Sequence, residues 1–283
     1  MTLEEIRKLV IIALFSDDEL MEMLVVKGGN ALDLIYNVSA RTSVDVDVSM
    51  SGDFPDFEDA KKRIFRALRE RFDAAGYVVF DEKFDRRPSV VGPKRNPRWG
   101  GYQVIFKIIP RALHAQHQHD LDSLRRNASV IGPGHLRNFT IDISKFEYCE
   151  PKEEHELDSF TVYAYTLPMI ALEKLRAICQ QMDEYQQRSN PRARARDFYD
   201  IYTAVTSGNL DLTTAENLEL LRNIFEAKEV PLELLLKIET THSYHIVDWP
   251  AVELAVSEPL QSFDFYFDFV VGLVNQLKAA RVI

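Results

Sequence analysis

The sequence predicts an α+β fold, a mixed β-sheet with flanking helices over residues 1–160 followed by an all-helical domain over 161–283. Three observations carry this. Residues 44–50 (VDVDVSM) alternate strictly between apolar and polar, the period of a half-buried strand. Stretches 102–109 and 139–144 alternate in the same way. Beyond residue 160 the texture turns to helical spacing, with helices expected over 168–182, 195–205, 213–227, 231–239 and 263–280. The 283 residues, 46% of them apolar, suffice for two domains with real cores and exclude a disordered chain.

The elements follow in order. Thr2 and Glu5 form a capping box for a first helix carrying Leu3, Ile6, Leu9, Val10 and Ala13. Ser16 and Glu19 read as a second box before a short helix with Leu20, Met23 and Leu24. Lys27-Gly28-Gly29-Asn30 breaks the pattern, with Asn30 the expected N-cap of a helix burying Ala31, Leu34, Ile35 and Val38. Residues 59–75 read as a helix stopped by Gly76. Short strands are expected at 77–80 and 160–165, and Pro168 suits the first turn of a helix.

The net charge of −10 hides a split. Residues 61–137 hold 17 Lys and Arg against 7 Asp and Glu, so the rest of the chain is strongly acidic. A basic middle can face a phosphate-bearing ligand, although a solvated helix face explains its first part. The stretch 86–99 (RRPSVVGPKRNPRW) is basic, rich in turn residues and carries an aromatic, which suits RNA. Two cysteines, Cys149 and Cys179, make no disulfide framework and suit a reducing cytoplasm. The longest apolar run, 9–15, is too short to cross a bilayer, and MTLEEIRK has acids where a signal peptide carries cations. No membrane role is expected. HAQHQH (His114, His117, His119) has metal-like spacing without a neighbouring Cys and reads as a surface loop. The absence of GxSxG, HExxH and a Walker motif argues against those hydrolases.

The chemistry concentrates on the strand at 44–50. Side chains two apart on a strand share a face, so Asp45 and Asp47 project together while Val44, Val46, Val48 and Met50 take the other face. Two close carboxylates repel, and a divalent cation relieves the repulsion, Mg²⁺ preferring carboxylate and phosphate oxygens. An ordinary amphipathic strand with a wet face would alternate identically. The glycine pair Gly28–Gly29, between a strand-like piece and a helix start, lets backbone approach an anion, with Lys27 beside it. Asp142, on the polar side of strand 139–144, supplies a third carboxylate that can orient or deprotonate a hydroxyl.

These residues carry a resemblance. KGGNAL (27–32) and RTSVDVDV (41–48) resemble the first motif of the AbiEii/AbiGii-type nucleotidyltransferase toxins of the DNA polymerase β-like superfamily, and are similar to MenT-type toxins. Lys27, Gly28, Gly29, Ala31, Leu32, Arg41, Ser43, Asp45 and Asp47 fit that pattern. ALEKLRA (171–177) looks like the family's AEKLRA helix, and RARDFYD (194–200) like its later Asp motif. Asn30 departs from the usual Thr or Ser.

The resemblance implies a nucleotidyltransferase-like sheet, a helical domain that completes the active site, and transfer of a nucleoside monophosphate from an NTP to an acceptor hydroxyl. It implies two Mg²⁺ ions on Asp45 and Asp47, with Asp142, Lys174 and Asp197 catalytic. It implies nucleotide binding by Lys27, Gly28, Gly29, Asn30, Arg41, Ser43, Arg194 and Arg196. In the family the acceptor is often a tRNA 3′ end or a protein side chain, and the toxin is encoded with an antitoxin. The basic stretch favours RNA. A degenerate nucleotide-binding regulator, or a transferase acting on a protein or small molecule, is the alternative.

Overall fold

The chain folds into two units that do not follow a single cut. In a computed structural model, which describes residues 1–89, 99–187 and 190–280, the first unit is Met1–Val26 with Ser43–Ala164, and the second is Lys27–Thr42 with Tyr165–Ile283. This division differs from a single boundary at 160 in grouping 27–42 with the later residues. This segment is tied to the second unit by backbone bonds and one tyrosine hydroxyl. Tyr36 Oη donates to the Tyr165 carbonyl at 2.9 Å, Arg41 forms a bridge with Val256, and Thr42 N–H reaches the Ala255 carbonyl at 3.1 Å.

Among the described residues the first unit is built on seven strands: β1 (Val25–Val26), β2 (Val46–Ser49), β3 (Tyr77–Arg87), β4 (Gly101–Pro110), β5 (Phe139–Ser144), β6 (Lys152–Leu157) and β7 (Phe160–Tyr165). Their order is β3-β4-β5-β2-β1-β7-β6. β2 runs parallel to β5, and β1 parallel to β7, while β3, β4 and β5 are successively antiparallel, so the sheet is mixed.

Alternation decides the faces. Val46, Val48, Ile141, Ile143, Val104 and Phe106 are buried on one side. Helices α1 (Leu3–Phe15) and α4 (Phe57–Ala74) pack together, and Phe72 of α4 meets Phe106 edge-on at 5.7 Å. The capping box Thr2–Glu5 forms as expected. The next helix, α2 (Asp18–Met23), is capped by Asp17 rather than Ser16. The carboxylate of Asp17 accepts the Leu20 N–H, while the Ser16 hydroxyl donates back to the Ile12 carbonyl. Gly76 takes φ +83° just after α4, as its C′ position requires.

Several elements escape the pattern. β2 begins only at Val46, with Asp45 in the bend before it. β6 (KEEHEL) is a charged edge strand, so it has no apolar alternation to read. It joins β7 through Asp158 and Ser159, both at positive φ, the backbone of a tight two-residue hairpin. His114 and His117 lie on a short helix, α5 (Arg111–His117), rather than a loop, and α6 (Leu121–Asn127) follows it. β3 is far longer than 77–80 and bulges between Phe80 and Lys83.

The second unit is helical. α3 (Gly28–Asn30) runs on as a π-turn over Ala31–Ile35. Asn30 lies inside this helical run, so it is not an N-cap, and that position belongs to Lys27. α7 (Leu167–Cys179), α8 (Ala195–Ser207), α9 (Ala215–Glu226), α10 (His242–His245), α11 (Trp249–Ala255) and α12 (Phe263–Ala279) follow, with a 3₁₀ stretch at Leu232–Thr240 where an α-helix was expected. Phe263, Tyr266 and Phe267 of α12 are buried against Phe198, Tyr199 and Trp249. No helix among the described residues is long and apolar enough to cross a membrane.

Candidate active site

Register builds the first cluster. Asp47 of β2 stands opposite Asp142 of β5, and Asp142 opposite Gln103 of β4. All three point away from the apolar face of the sheet, because their strand neighbours Val46, Val48, Ile141, Ile143, Tyr102 and Val104 claim that face. Asp45, two residues before Asp47, joins them from the bend. Asp45, Asp47 and Asp142 each offer a carboxylate oxygen, and these oxygens lie within 4.8 Å of one another. All three side chains are half-buried.

Gln103 was not anticipated. Its amide Nε2 donates to Asp142 Oδ1 at 2.9 Å, and its Oε1 accepts from Arg87 Nη2 at 2.7 Å. Alternation of strand 102–109 marked Gln103 as polar-facing, but only the β4–β5 register sets it beside Asp142. That register depends on Gly101. A Cβ there would sit 1.9 Å from the Ile143 carbonyl oxygen, so only glycine permits the close strand approach. Ser43, expected to bind nucleotide, is buried in the segment leading to Asp45.

The second unit holds the other motif residues. Gly28 has φ +64°, a left-handed backbone at the helix start that favours glycine. Gly29 and Asn30 are buried, Asn30 fully. Lys27 is buried too, its Nζ 3.9 Å from Glu173. The acids of α8 organise the rest. Lys174 Nζ lies 3.0 Å from Asp197 and 2.7 Å from Asp200. Arg41 grips Asp200 with both arms of its fork, at 3.0 and 2.9 Å. Arg194, in the N-cap position of α8, pairs with Asp197. Arg196 is exposed.

Burial alone would neutralise these groups; their pairing reverses that. Asp197 is buried, which favours the neutral acid, but Arg194 and Lys174 outweigh burial and hold its carboxyl well below the usual range. Asp200 is lowered in the same sense by Arg41 and Lys174. Burial disfavours the Lys174 ammonium, yet Asp197 and Asp200 leave its pKa raised. Behind Arg194, His245 Nδ1 accepts the Arg194 backbone N–H at 3.1 Å. Burial pulls the His245 pKa down to about 4.

The basic surplus of the middle segment is partly spent within its own unit. On α4, Arg63 pairs with Asp17, Glu19 and Asp59, Arg66 with Asp17, and Arg69 with Glu82. On β3, Lys83, Arg86 and Arg87 are exposed, and the Arg86 guanidinium lies 4.4 Å over the Phe57 ring. Residues 90–98 of the basic stretch 86–99 lie outside the described residues.

A family model described as the nucleotidyl transferase AbiEii toxin of type IV toxin–antitoxin systems matches residues 11–267. No curated protein matches the sequence. Two solved structures from Helicobacter pylori are similar in fold. JHP933 is 15% identical, covers 98% of this chain and 91% of its own, and superimposes with a TM-score of 0.52. A candidate nucleotidyltransferase is 14% identical, covers 99% and 95%, and has a TM-score of 0.53.

Proposed function

The chain belongs to the AbiEii nucleotidyltransferase toxin family, and from that premise we propose that it transfers a nucleoside monophosphate from an NTP to an RNA hydroxyl, releasing pyrophosphate, with Asp45, Asp47 and Asp142 carrying the chemistry. The observation that carries the reading is the convergence of three carboxylate oxygens within 4.8 Å. Three hard oxygen donors from half-buried acids suit Mg²⁺. Asp45 and Asp47 would hold two Mg²⁺ ions, with Asp142 offering a third carboxylate oxygen. When bound, the ions supply charge neutralisation at the phosphates and activation of the incoming hydroxyl.

The protein's own groups divide the remaining work. Asp142 orients the acceptor hydroxyl and takes its proton. Gly28, Gly29 and Asn30, with Lys27 and Ser43, are proposed to bind the triphosphate. Arg194 and Arg196 are proposed to offset phosphate charge, Arg196 from an exposed position. Lys174 and Asp197 act through the buried ion network they share with Arg41 and Asp200, since the ammonium is already divided between two carboxylates. The exposed cations of β3 support RNA, in particular a tRNA 3′ end, as acceptor. The family supports a cognate antitoxin as partner and action in the cytoplasm.

Incubation with each α-labelled NTP, Mg²⁺ and total RNA, followed by gel separation, tests the reading. Label enters RNA with the intact protein and fails to enter with a folded Asp47→Ala variant. Equal labelling by Asp47→Ala rejects the metal assignment. Label on protein or a small molecule replaces the acceptor, and NTP binding without turnover makes the chain a sensor.

A further inference from the structure

The polar face of the sheet carries a row: Asp85, Gln103, Asp142 and Asp47 stand opposite one another on β3, β4, β5 and β2. Within it the Gln103 amide is held at both ends. A guanidinium only donates and a carboxylate only accepts, so a contact to each fixes the amide in one sense. Its oxygen faces Arg87 at 2.7 Å and its nitrogen faces Asp142 at 2.9 Å. The reverse orientation would set the amide N–H₂ against a cation and its carbonyl against an anion.

We propose that Gln103 is the positioning residue of the third carboxylate, and that Arg87 is the lock that fixes its amide. The inference rests on the metal-binding reading of Asp45, Asp47 and Asp142. Its physical content is the difference between a neutral and a charged donor. A Lys or Arg against Asp142 would orient the carboxylate but neutralise it, competing with the cation the three acids are placed to hold. An amide orients it without itself bringing a positive charge. The positive charge needed to set the amide stands one side chain further out, on exposed Arg87. Oδ1 of Asp142 is thereby engaged by Gln103 while the carboxylate keeps an oxygen within 4.8 Å of those of Asp45 and Asp47. Contacts of this outer kind typically govern metal affinity by about 10–100-fold.

The test is Mn²⁺ binding by the full chain, followed by electron paramagnetic resonance, with apparent KM for Mg²⁺ measured in the transfer assay. Gln103→Leu removes both contacts. Gln103→Met keeps the length but removes the amide without adding charge, so it discriminates even if the leucine variant folds poorly. Both variants weaken Mn²⁺ binding by about tenfold or more. Both raise the apparent KM for Mg²⁺, and excess Mg²⁺ recovers much of the rate while the melting temperature stays close to the parent's. Arg87→Leu gives a smaller loss in the same direction, and Arg87→Lys restores it. Parent-like Mn²⁺ binding by both Gln103 variants overturns the positioning role alone. A parent protein that takes up no Mn²⁺ overturns the metal reading itself, and the positioning role with it.

Discussion

The two units handle buried charge in opposite ways. In the first, three aspartates are brought together with like charge facing like charge, and a neutral amide, that of Gln103, donates to Asp142. In the second, Asp197 and Asp200 are more deeply buried and are matched by Lys174, Arg41 and Arg194. The comparison teaches what each cluster is for. A compensated network strengthens the fold locally only as long as it is complete, since removing one member leaves a buried charge behind. A gathered set of acids costs the fold repulsion, which a bound cation would relieve.

The sharpest way to break the comparison is Asp200→Ala. It strands the Arg41 fork and half the Lys174 pairing, and is expected to cost about 3–5 kcal/mol in urea unfolding. Parent-like stability would remove the network from the account. Arg41→Lys keeps the charge and loses the two-armed geometry, with an expected cost of about 1.5–3 kcal/mol by the same measurement.

His245 sharpens the picture by pH. Its folded pKa of about 4 lies below the ordinary 6.5, chiefly through burial and further through Arg194, with Asp197 opposing. The unfolded chain therefore takes up a proton that the folded chain refuses as pH falls from 6.5 toward 4. Stability is full above this window and drops within it by about 1.4 kcal/mol per pH unit. His245→Gln, which offers Arg194 an acceptor without titrating, should flatten that slope. Urea midpoints across the window check it, and an unchanged slope would refute the assignment.

The smallest effect has the opposite sign. Asp47→Asn relieves repulsion and, without added metal, should raise stability by about 1 kcal/mol, the scale of two unit charges about 4 Å apart in a water-like medium. The parent should gain stability on adding Mg²⁺ by mass action, and Asp47→Asn should not. Thermal unfolding with and without Mg²⁺ measures both, and a destabilised Asp47→Asn would place Asp47 in the compensated class.

Legibility followed locality. The alternation at 44–50, 102–109 and 139–144 and the Thr2 cap were readable because strand faces and helix caps depend on residues a few positions apart. β6 was unreadable because an edge strand dressed in charge carries no apolar rhythm. The second cap fell to Asp17 because a carboxylate and a hydroxyl side by side compete for the same N–H groups, and Ser16 turned back into α1.

By itself, then, the sequence determined which side chains share a strand face, which acids could gather, and that a mixed sheet precedes a run of helices. Only the tertiary structure decided that Gln103 stands beside Asp142, that Arg41 reaches Asp200 across 159 positions, and that 27–42 belongs with the second unit. The reason is physical. Periodicity is set by the geometry of one backbone segment, whereas register and ion pairing between distant segments are chosen by the packing of the whole unit.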